Sequence, residues 1–341
     1  MSKKRGKGLF DEEKRLEELS KFGDPLERLN KLIDFEKIFK STLNKIFKKE
    51  PKGAGGRPAY NYVMMFKILI LQRLYNISDG QTEFQIKDRL SFMRFLGLTL
   101  SEDVPDEKTI WLFRETIIRK NAIEKLFKRF EDHLNEQGVI MHKGSIIDAS
   151  FVEVPKQRNT KDENMKIKEG KIPEEWEGNQ DKLSQKDTDA RWVEKNKEKH
   201  YGYKNHVKVD RKSKIITKYS VTNASVHDSQ EFENLIDEND KGKPIYADSA
   251  YTGEKIYKII EEKEIKNKIC EKGYRNKPLM EKQKINNRKK SKVRVRIEHV
   301  FGFIENSMNG SFIRSIGIDR AKGIIGLMNL VYNMCRYQQI G

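Results

Sequence analysis

Residues 244–253 read Pro244-Ile245-Tyr246-Ala247-Asp248-Ser249-Ala250-Tyr251-Thr252-Gly253, and this stretch decides the fold. A short apolar run, Ile245 to Ala247, ends in an acid. Small, turn-forming residues then lead into a helical pattern with Ile256, Ile259 and Ile260 on its apolar face. The order is strand, acid, helix. A carboxylate at the carboxyl end of a buried strand stands in the crevice where α/β sheets bind their ligands. The chain carries 69 Lys and Arg against 52 Asp and Glu, a formal net charge of +17. Such a field attracts polyanions, nucleic acid first among them, so the acid suggests a metal ion held against a polyanion.

Working back from Pro244, Asp228 followed by Glu231 marks the start of a helix bearing Phe232, Leu235 and Ile236. In YGYKNHVKVD, residues 201–210, Val207 and Val209 alternate with polar residues. Asp210 to Ser213 turns the chain, and KIITKYSVT returns as the second strand of a hairpin. Lys156 to His200 holds 12 basic and 11 acidic residues and few apolar ones, which predicts a mobile insertion or a segment that orders on a partner. Trp192 within it either anchors the insertion, the favoured reading, or stacks on a flipped base. Further back, GSIIDASFVEVP at 144–155 is a strand in which Ile146 and Ile147 lead to Asp148.

The first 138 residues read as almost entirely helical, and after Gly138 the period changes from 3.6 to 2. Asp11 to about Lys48 is charged, with Leu26, Leu29, Leu32 and Ile33 on one face. Lys52 to Pro58, KGAGGRP, is a Gly-rich hinge. Tyr60 to Tyr75 is strongly apolar, and Ser78 with Gln81 forms a capping box for the next helix. That pair is either a helix-turn-helix that reads DNA or plain core packing. Pro105 and Asp106 open a helix with Ile110, Trp111 and Phe113, and another runs from Asn121, with Glu124 in its capping box, to Gly138.

Downstream of the opening stretch comes a short strand around Ile269 and Cys270. Between Glu271 and Arg296 there are then 11 Lys and Arg against two acids. Arg288, Lys289, Lys290, Lys292 and Arg294 are the candidate contacts to DNA phosphates. VRVRIEHVFGFIENSM follows, with Ile297, Val300, Phe301 and Ile304 as a buried helical stripe. Arg294, Glu298, Gly302 and Glu305 fall on an adjoining face. Ile324 to Met334 is apolar but broken by Asn329 and Asn333, so it reads as a packed helix and not as a membrane span. The basic amino terminus has no apolar core of a secretory signal. Cys270 and Cys335 are the only cysteines, and no CxxC or zinc spacing accompanies them; a reducing cytoplasm is expected.

Asp148, Asp248 and Glu298 are the candidate catalytic and metal-binding carboxylates. Two-metal phosphoryl transfer needs hard oxygen ligands around two Mg²⁺ or Mn²⁺ ions about 3.5–4 Å apart. Three strands, helix, strand, helix, strand and acid-bearing helix are compatible with an α/β, RNase H-like mixed sheet flanked by helices and preceded by an all-helical region. In that topology the first and fourth strands lie side by side and so do Asp148 and Asp248. The expected domains are 1–138, helical, and 139–341, RNase H-like, with a charged insertion at about 156–200.

VPDEKTIWLFRE, GSIIDASFVEVP, DTDARWVEKNKEKHYGYKNHVKVD, NASVHDS, YADSAYTG and RVRIEHVFGFIE resemble the corresponding blocks of DDE transposases of bacterial insertion sequences, in the insertion sequence five group, which is related to the insertion sequence four group. The resemblance runs from about Gly55 to Arg336. It implies an RNase H-like catalytic domain with two divalent ions on Asp148, Asp248 and Glu298, and a reaction that nicks DNA at element ends and joins the 3′-hydroxyl to target DNA. The implied partners are double-stranded DNA, namely terminal inverted repeats and target, with a possible homodimer on the DNA and a cytoplasmic, nucleoid-associated location. Arg294, in an R-x-x-x-E pattern with Glu298, matches the family's basic residue. Two positions depart from the pattern. Ser291 stands where a Tyr is common and Glu305 where a Lys is common. His206 and His227 are expected to be structural or DNA-proximal, and His299 to point away from the face of Glu298.

Overall fold

The computed structural model describes residues 8, 10–47, 59–195 and 197–341. The Gly-rich hinge expected at Lys52 to Pro58 lies outside the described residues. The chain forms two compact units, Met1–Arg129 with Tyr337–Gly341, and Phe130–Arg336.

The first unit is helical: α1 (Asp11–Lys21), α2 (Pro25–Leu32), α3 (Phe35–Phe47), α4 (Tyr62–Tyr75), α5 (Asp79–Asp88), α6 (Leu90–Leu96), α7 (Glu107–Arg119) and the start of α8 (Ala122–Glu136). α4 is apolar nearly all round and is buried nearly all round, from Val63 to Gln72. Ser78 caps α5 as its sequence position predicts, accepting from the Gln81 N–H, and Asp106 caps α7. The turn between α4 and α5 is tied by Asp79, which accepts two hydrogen bonds from Arg114 and one from Gln72. A buried amide and a charged fork satisfying one carboxylate make this pair of helices a fixed part of the core.

The second unit is built on a six-stranded mixed sheet of β1 (Ser145–Glu153), β2 (Arg191–Lys195), β3 (Glu198–Asp210), β4 (Ile216–Asn223), β5 (Pro244–Tyr246) and β6 (Lys266–Asn267). β1 is central, antiparallel to β3 along its whole length and parallel to β5. β4 pairs with the later half of β3 and β2 with its first residues, while β6 lies outside β5. The order β4-β3-β1-β5-β6 is that of an RNase H-like sheet, with β2 added. Gly202 is required where β1, β2 and β3 meet. It has φ +147°, and a Cβ there would come within 2.4 Å of the Val152 carbonyl.

One face of the sheet is covered by α12 (Phe232–Leu235) and α13 (Glu254–Glu262), which join Ile147, Ile245 and Tyr251 in a single apolar cluster. The other face carries α15 (Glu298–Gly302) and α16 (Ile318–Ile340). The two asparagines that interrupt the apolar run of α16 explain themselves here. Asn329 exchanges amide hydrogen bonds with Asn205 on β3, and Asn333 caps both backbone groups of Ile216 on β4. No described helix is long and apolar enough to cross a membrane.

Several local expectations are corrected. The charged segment at 156–200 is folded, with α9 (Lys161–Lys168), α10 (Glu174–Glu177), α11 (Gln180–Ser184) and β2. Trp176 supplies the burial that composition hid. It is 0% exposed, its indole N–H donates to Glu163, and Lys182 and Lys186 lie over its ring. The polar residues of β3 that alternate with Val207 and Val209 are buried too, as is every residue from Tyr201 to Asp210. The helix expected at Asp228 is a 3-10 turn followed by the short α12. His227 caps it, and Asp228 is free to pair with Lys204. The last strand lies at Lys266–Asn267, just ahead of Ile269 and Cys270. The helix around Glu298 is broken by a 3-10 turn at Val295–Ile297 and a π turn at Phe303–Ser307, though Ile297, Val300, Phe301 and Ile304 are buried as their spacing predicts.

Candidate active site

Ser145 lies opposite Ile245 and Ile146 opposite Tyr246 across the parallel β1–β5 pair. Continuing that register by two residues sets Asp148 beside Asp248. Asp148 is still within β1, paired with Val207 of β3, so its backbone is held by the sheet. Asp248 has left β5 and caps the one-turn 3-10 segment Ser249–Tyr251, its Oδ1 accepting from the Ala250 N–H at 2.8 Å. Short side chains at Ser249 and Ala250 let the chain turn this tightly straight after the strand.

Glu298 opens α15, four residues after Arg294 closes α14 (Glu281–Arg294). The Arg294 guanidinium bridges the two elements. Its Nη1 is 2.6 Å from Asp148 Oδ2 and 3.5 Å from Glu298 Oε1. The Asp148 side chain is 14% exposed and that of Glu298 58%. Burial pushes the Asp148 carboxyl up to about 6, and the charges of Asp248 and Glu298 add to the rise; the Ala149 N–H and Arg294 oppose it. Asp248 and Glu298 both therefore act on Asp148. Glu305 is pushed up as well, by burial and then by Glu298, and it has no ion-pair partner among the described residues.

Among the described residues no three His, Cys, Asp or Glu side chains close around a point that could hold a metal ion. The donor set still has the right chemistry for a hard divalent cation, since it consists of carboxylate oxygens crowded against their own repulsion. The positive charge between Asp148 and Glu298 is that of Arg294.

The five basic candidates divide. Arg288, Lys289 and Lys292 are exposed on α14. Lys290 is turned inward, donating to the Ile269 carbonyl at 2.8 Å and facing Glu271 at 3.7 Å. Arg294 is turned to the acids. Ser291 touches Cys270 at 3.7 Å. Trp192 lies on β2, 43% exposed, against Tyr201 and beneath Lys156. His227 is an exposed cap and His206 is fully buried.

Sequence reasoning missed the polar layer behind β1. Lys204 donates to Asp228 at 2.8 Å and to the Val226 carbonyl, and Lys208 pairs with Asp237 and Asp240. The signal was present. Lys204, His206 and Lys208 occupy one face of a strand, and acids follow at 228, 237 and 240.

Residues 141–334 match the family described as transposase DDE domain, and residues 14–116 match the transposase domain DUF772. A cryo-EM structure of the piggyBac transposase synaptic complex with hairpin DNA aligns over 93% of this chain and 75% of that one, with 13% identity and a TM-score of 0.45. The first match spans more than half of the chain and takes in β1, β5 and the helix of Glu298, the elements on which the three acids stand; this protein belongs to the DDE transposase family.

Proposed function

We propose that this transposase cuts the ends of an insertion sequence of the insertion sequence five group and joins the freed 3′-hydroxyl to target DNA, with Asp148, Asp248 and Glu298 holding two divalent ions, Mg²⁺ or Mn²⁺. The observation that carries the reading is that Asp148 and Glu298, from separate elements, meet at the Arg294 guanidinium, while the charge of Asp248 acts on Asp148 as well. When bound, such ions activate the attacking oxygen and stabilise the leaving oxygen of an in-line displacement.

The chain's own groups have distinct parts. β1 and the turn after β5 hold Asp148 and Asp248 on neighbouring strands, and α15 brings Glu298 from the side. Arg294 neutralises the acids and leaves them for a DNA phosphate. Arg288, Lys289 and Lys292 line the exposed side of α14 and contact the phosphate backbone, which supplies affinity without reading sequence. The helical region 1–138 binds the terminal inverted repeats, and 139–341 performs the chemistry, with the protein acting as a homodimer on nucleoid DNA.

A pre-cut element end with a free 3′-hydroxyl, incubated with a target plasmid and Mg²⁺, tests this reading. Covalent joining of end to plasmid is expected. Plasmid hydrolysis without joining would make the protein a nuclease, and binding without either would make it a repressor.

A further inference from the structure

Two fully buried polar atoms in the catalytic unit, the Tyr251 hydroxyl and His206 Nδ1, have no hydrogen-bond partner among the described residues. Each such group carries a desolvation cost that native structures rarely leave uncompensated. The tautomer of His206 can be assigned. Thr222 Oγ1 uses its proton on the Asn223 carbonyl at 3.1 Å, so it accepts from His206 Nε2 at 2.8 Å. Nε2 therefore carries the hydrogen and Nδ1 is a bare acceptor. Burial also pushes the imidazole down to about 4, which keeps it neutral at pH 7. Tyr251, its own ionisation pushed far upward by burial, is a donor.

The two residues share a face of the sheet and share neighbours. His206 sits between Ala149 of β1 and Ser220 of β4. Ser220 donates to Glu231 at 2.6 Å, and Lys204, two residues before His206, donates to Asp228. The turn Asp228–Glu231 thus lies over His206. Tyr251 belongs to the apolar cluster on this same side, its ring 6.1 Å from that of Phe232, and it too feels Asp228 and Glu231. Ala149, paired with His206 on β1, presents only a methyl group on this side, and both His206 and Tyr251 lie within the fields of Asp228 and Glu231.

We propose that one buried water joins them, accepting the Tyr251 O–H and donating to His206 Nδ1 and to the Asp228 carboxylate, and that this link positions Asp248. Three bonds of matched polarity are what a buried water ordinarily makes. Tyr251 ends the turn that Asp248 begins. Its N–H donates to the Asp248 carbonyl at 3.3 Å, so fixing the ring fixes the carboxylate. Tyr251 is thereby a positioning residue for the active site, a role that rests on Asp248 binding a metal ion.

The test uses the full-length protein with ¹⁵N-labelled histidine and the variant Tyr251→Phe, which keeps the ring and loses the hydroxyl. In the unaltered protein the His206 Nδ1 resonance is expected to show an accepted hydrogen bond, and in the variant to move toward the value of a bare ring nitrogen. Mn²⁺ affinity, read by electron paramagnetic resonance, is expected to weaken by about tenfold, as for loss of other outer supports of metal ligands, while DNA affinity is unchanged. A free Nδ1 in the unaltered protein, or a variant that melts higher because an orphan hydroxyl has been removed, overturns the water link. Unchanged Mn²⁺ affinity alongside a shifted His206 signal overturns the positioning role. If the unaltered protein binds no Mn²⁺ at all while the His206 signal responds, the metal reading of Asp248 falls and the link stands.

Discussion

Replacing Arg294 by Gln removes the one positive charge that touches two of the acids while keeping most of the side chain's bulk. Asp148 has a carboxyl raised to about 6, so relative to the unfolded chain it binds its proton more tightly. Stability therefore falls as pH rises from about 4 to about 6 and stays lower above that, because the unfolded carboxyl ionises first. Arg294 limits this loss by favouring the ionised form. An opposite charge at hydrogen-bond distance from a mostly buried carboxylate is worth about 1.4–2.8 kcal/mol to that form. Arg294→Gln should thus cost about 2 kcal/mol at pH 8, or about 4–8 °C in Tm for a unit of this size, and much less at pH 5, where Asp148 is mostly protonated in both proteins. The same contact competes with a divalent cation. If about 1.4 kcal/mol must be surrendered to free the acids, Mn²⁺ should bind the variant about tenfold more tightly in the absence of DNA. Thermal unfolding at the two pH values and a Mn²⁺ titration decide the matter. A stability gap equal at pH 5 and pH 8, or weaker Mn²⁺ binding by the variant, would refute the idea that Arg294 is the counter-ion of the acids.

Asp148→Asn, Asp248→Asn and Glu298→Gln should each abolish nicking in a plasmid assay while leaving electrophoretic DNA binding nearly intact; appreciable nicking by any one of them removes that residue from the site. Asp148→Asn should also lack the decline in stability between pH 4 and pH 6, which melting curves across that range would show. Changing Arg288, Lys289 and Lys292 together to Ala should lower the slope of log affinity against log salt by about 2–3, whereas Lys290→Ala should leave the slope alone and lower Tm, since its ammonium is spent on the Ile269 carbonyl. Glu305→Lys should tighten binding of a cleaved end at low salt, with the gain fading as salt rises, and should not lower Tm, because Glu305 has no ion pair among the described residues to lose. A drop in Tm without tighter end binding would show that Glu305 only holds its helix.

The acids were legible in the sequence because of what stands next to them in the chain. Asp148 and Asp248 follow short apolar runs, and strand parity then fixes where they stand; Glu298 is announced by Arg294 one turn earlier. What could not be read depends on partners distant in the chain. In a run of 11 basic residues nothing local distinguishes Lys290, which turns to Ile269, from Lys289 and Lys292, which face outward. The charged segment at 156–200 looked unable to fold because its apolar content is low, yet it is seated by the buried Trp176, held by Glu163, Lys182 and Lys186, together with buried Ile167 and Ala190 and the Asp187 carboxylate that accepts from Tyr203. Alternation of Val207 and Val209 with polar residues ordinarily means one dry face and one wet face in an antiparallel strand. Both faces are in fact dry, since the acids at 228, 237 and 240 neutralise Lys204 and Lys208.

That second dry face bears on the catalytic geometry. Asp148 reaches Arg294 only because it projects to the side of the sheet that carries α15 and α16, and a one-residue slip of β1 against β3 would send it to the opposite side. Apolar packing alone would resist the slip weakly, since Ile146 and Ile147 are both buried and either face accepts them. The polar bonds discriminate. Lys208 must meet Asp237 and Asp240 on one face while Asn205 meets Asn329 on the other, so β3 can sit in one register and one orientation only. β1, paired to it from Ser145 to Glu153, inherits that register. Lys208, next to the Val207 that pairs with Asp148, faces the opposite side of the sheet from the acids, yet Lys208→Met, which fills the same space without a charge to place, should leave the protein folded and loosen the register. The expected readout is loss of nicking and new amide exchange along β1, with Tm lowered as well because the buried Asp240 is left without its cation. Full activity in that variant would show that the register is held by apolar packing after all.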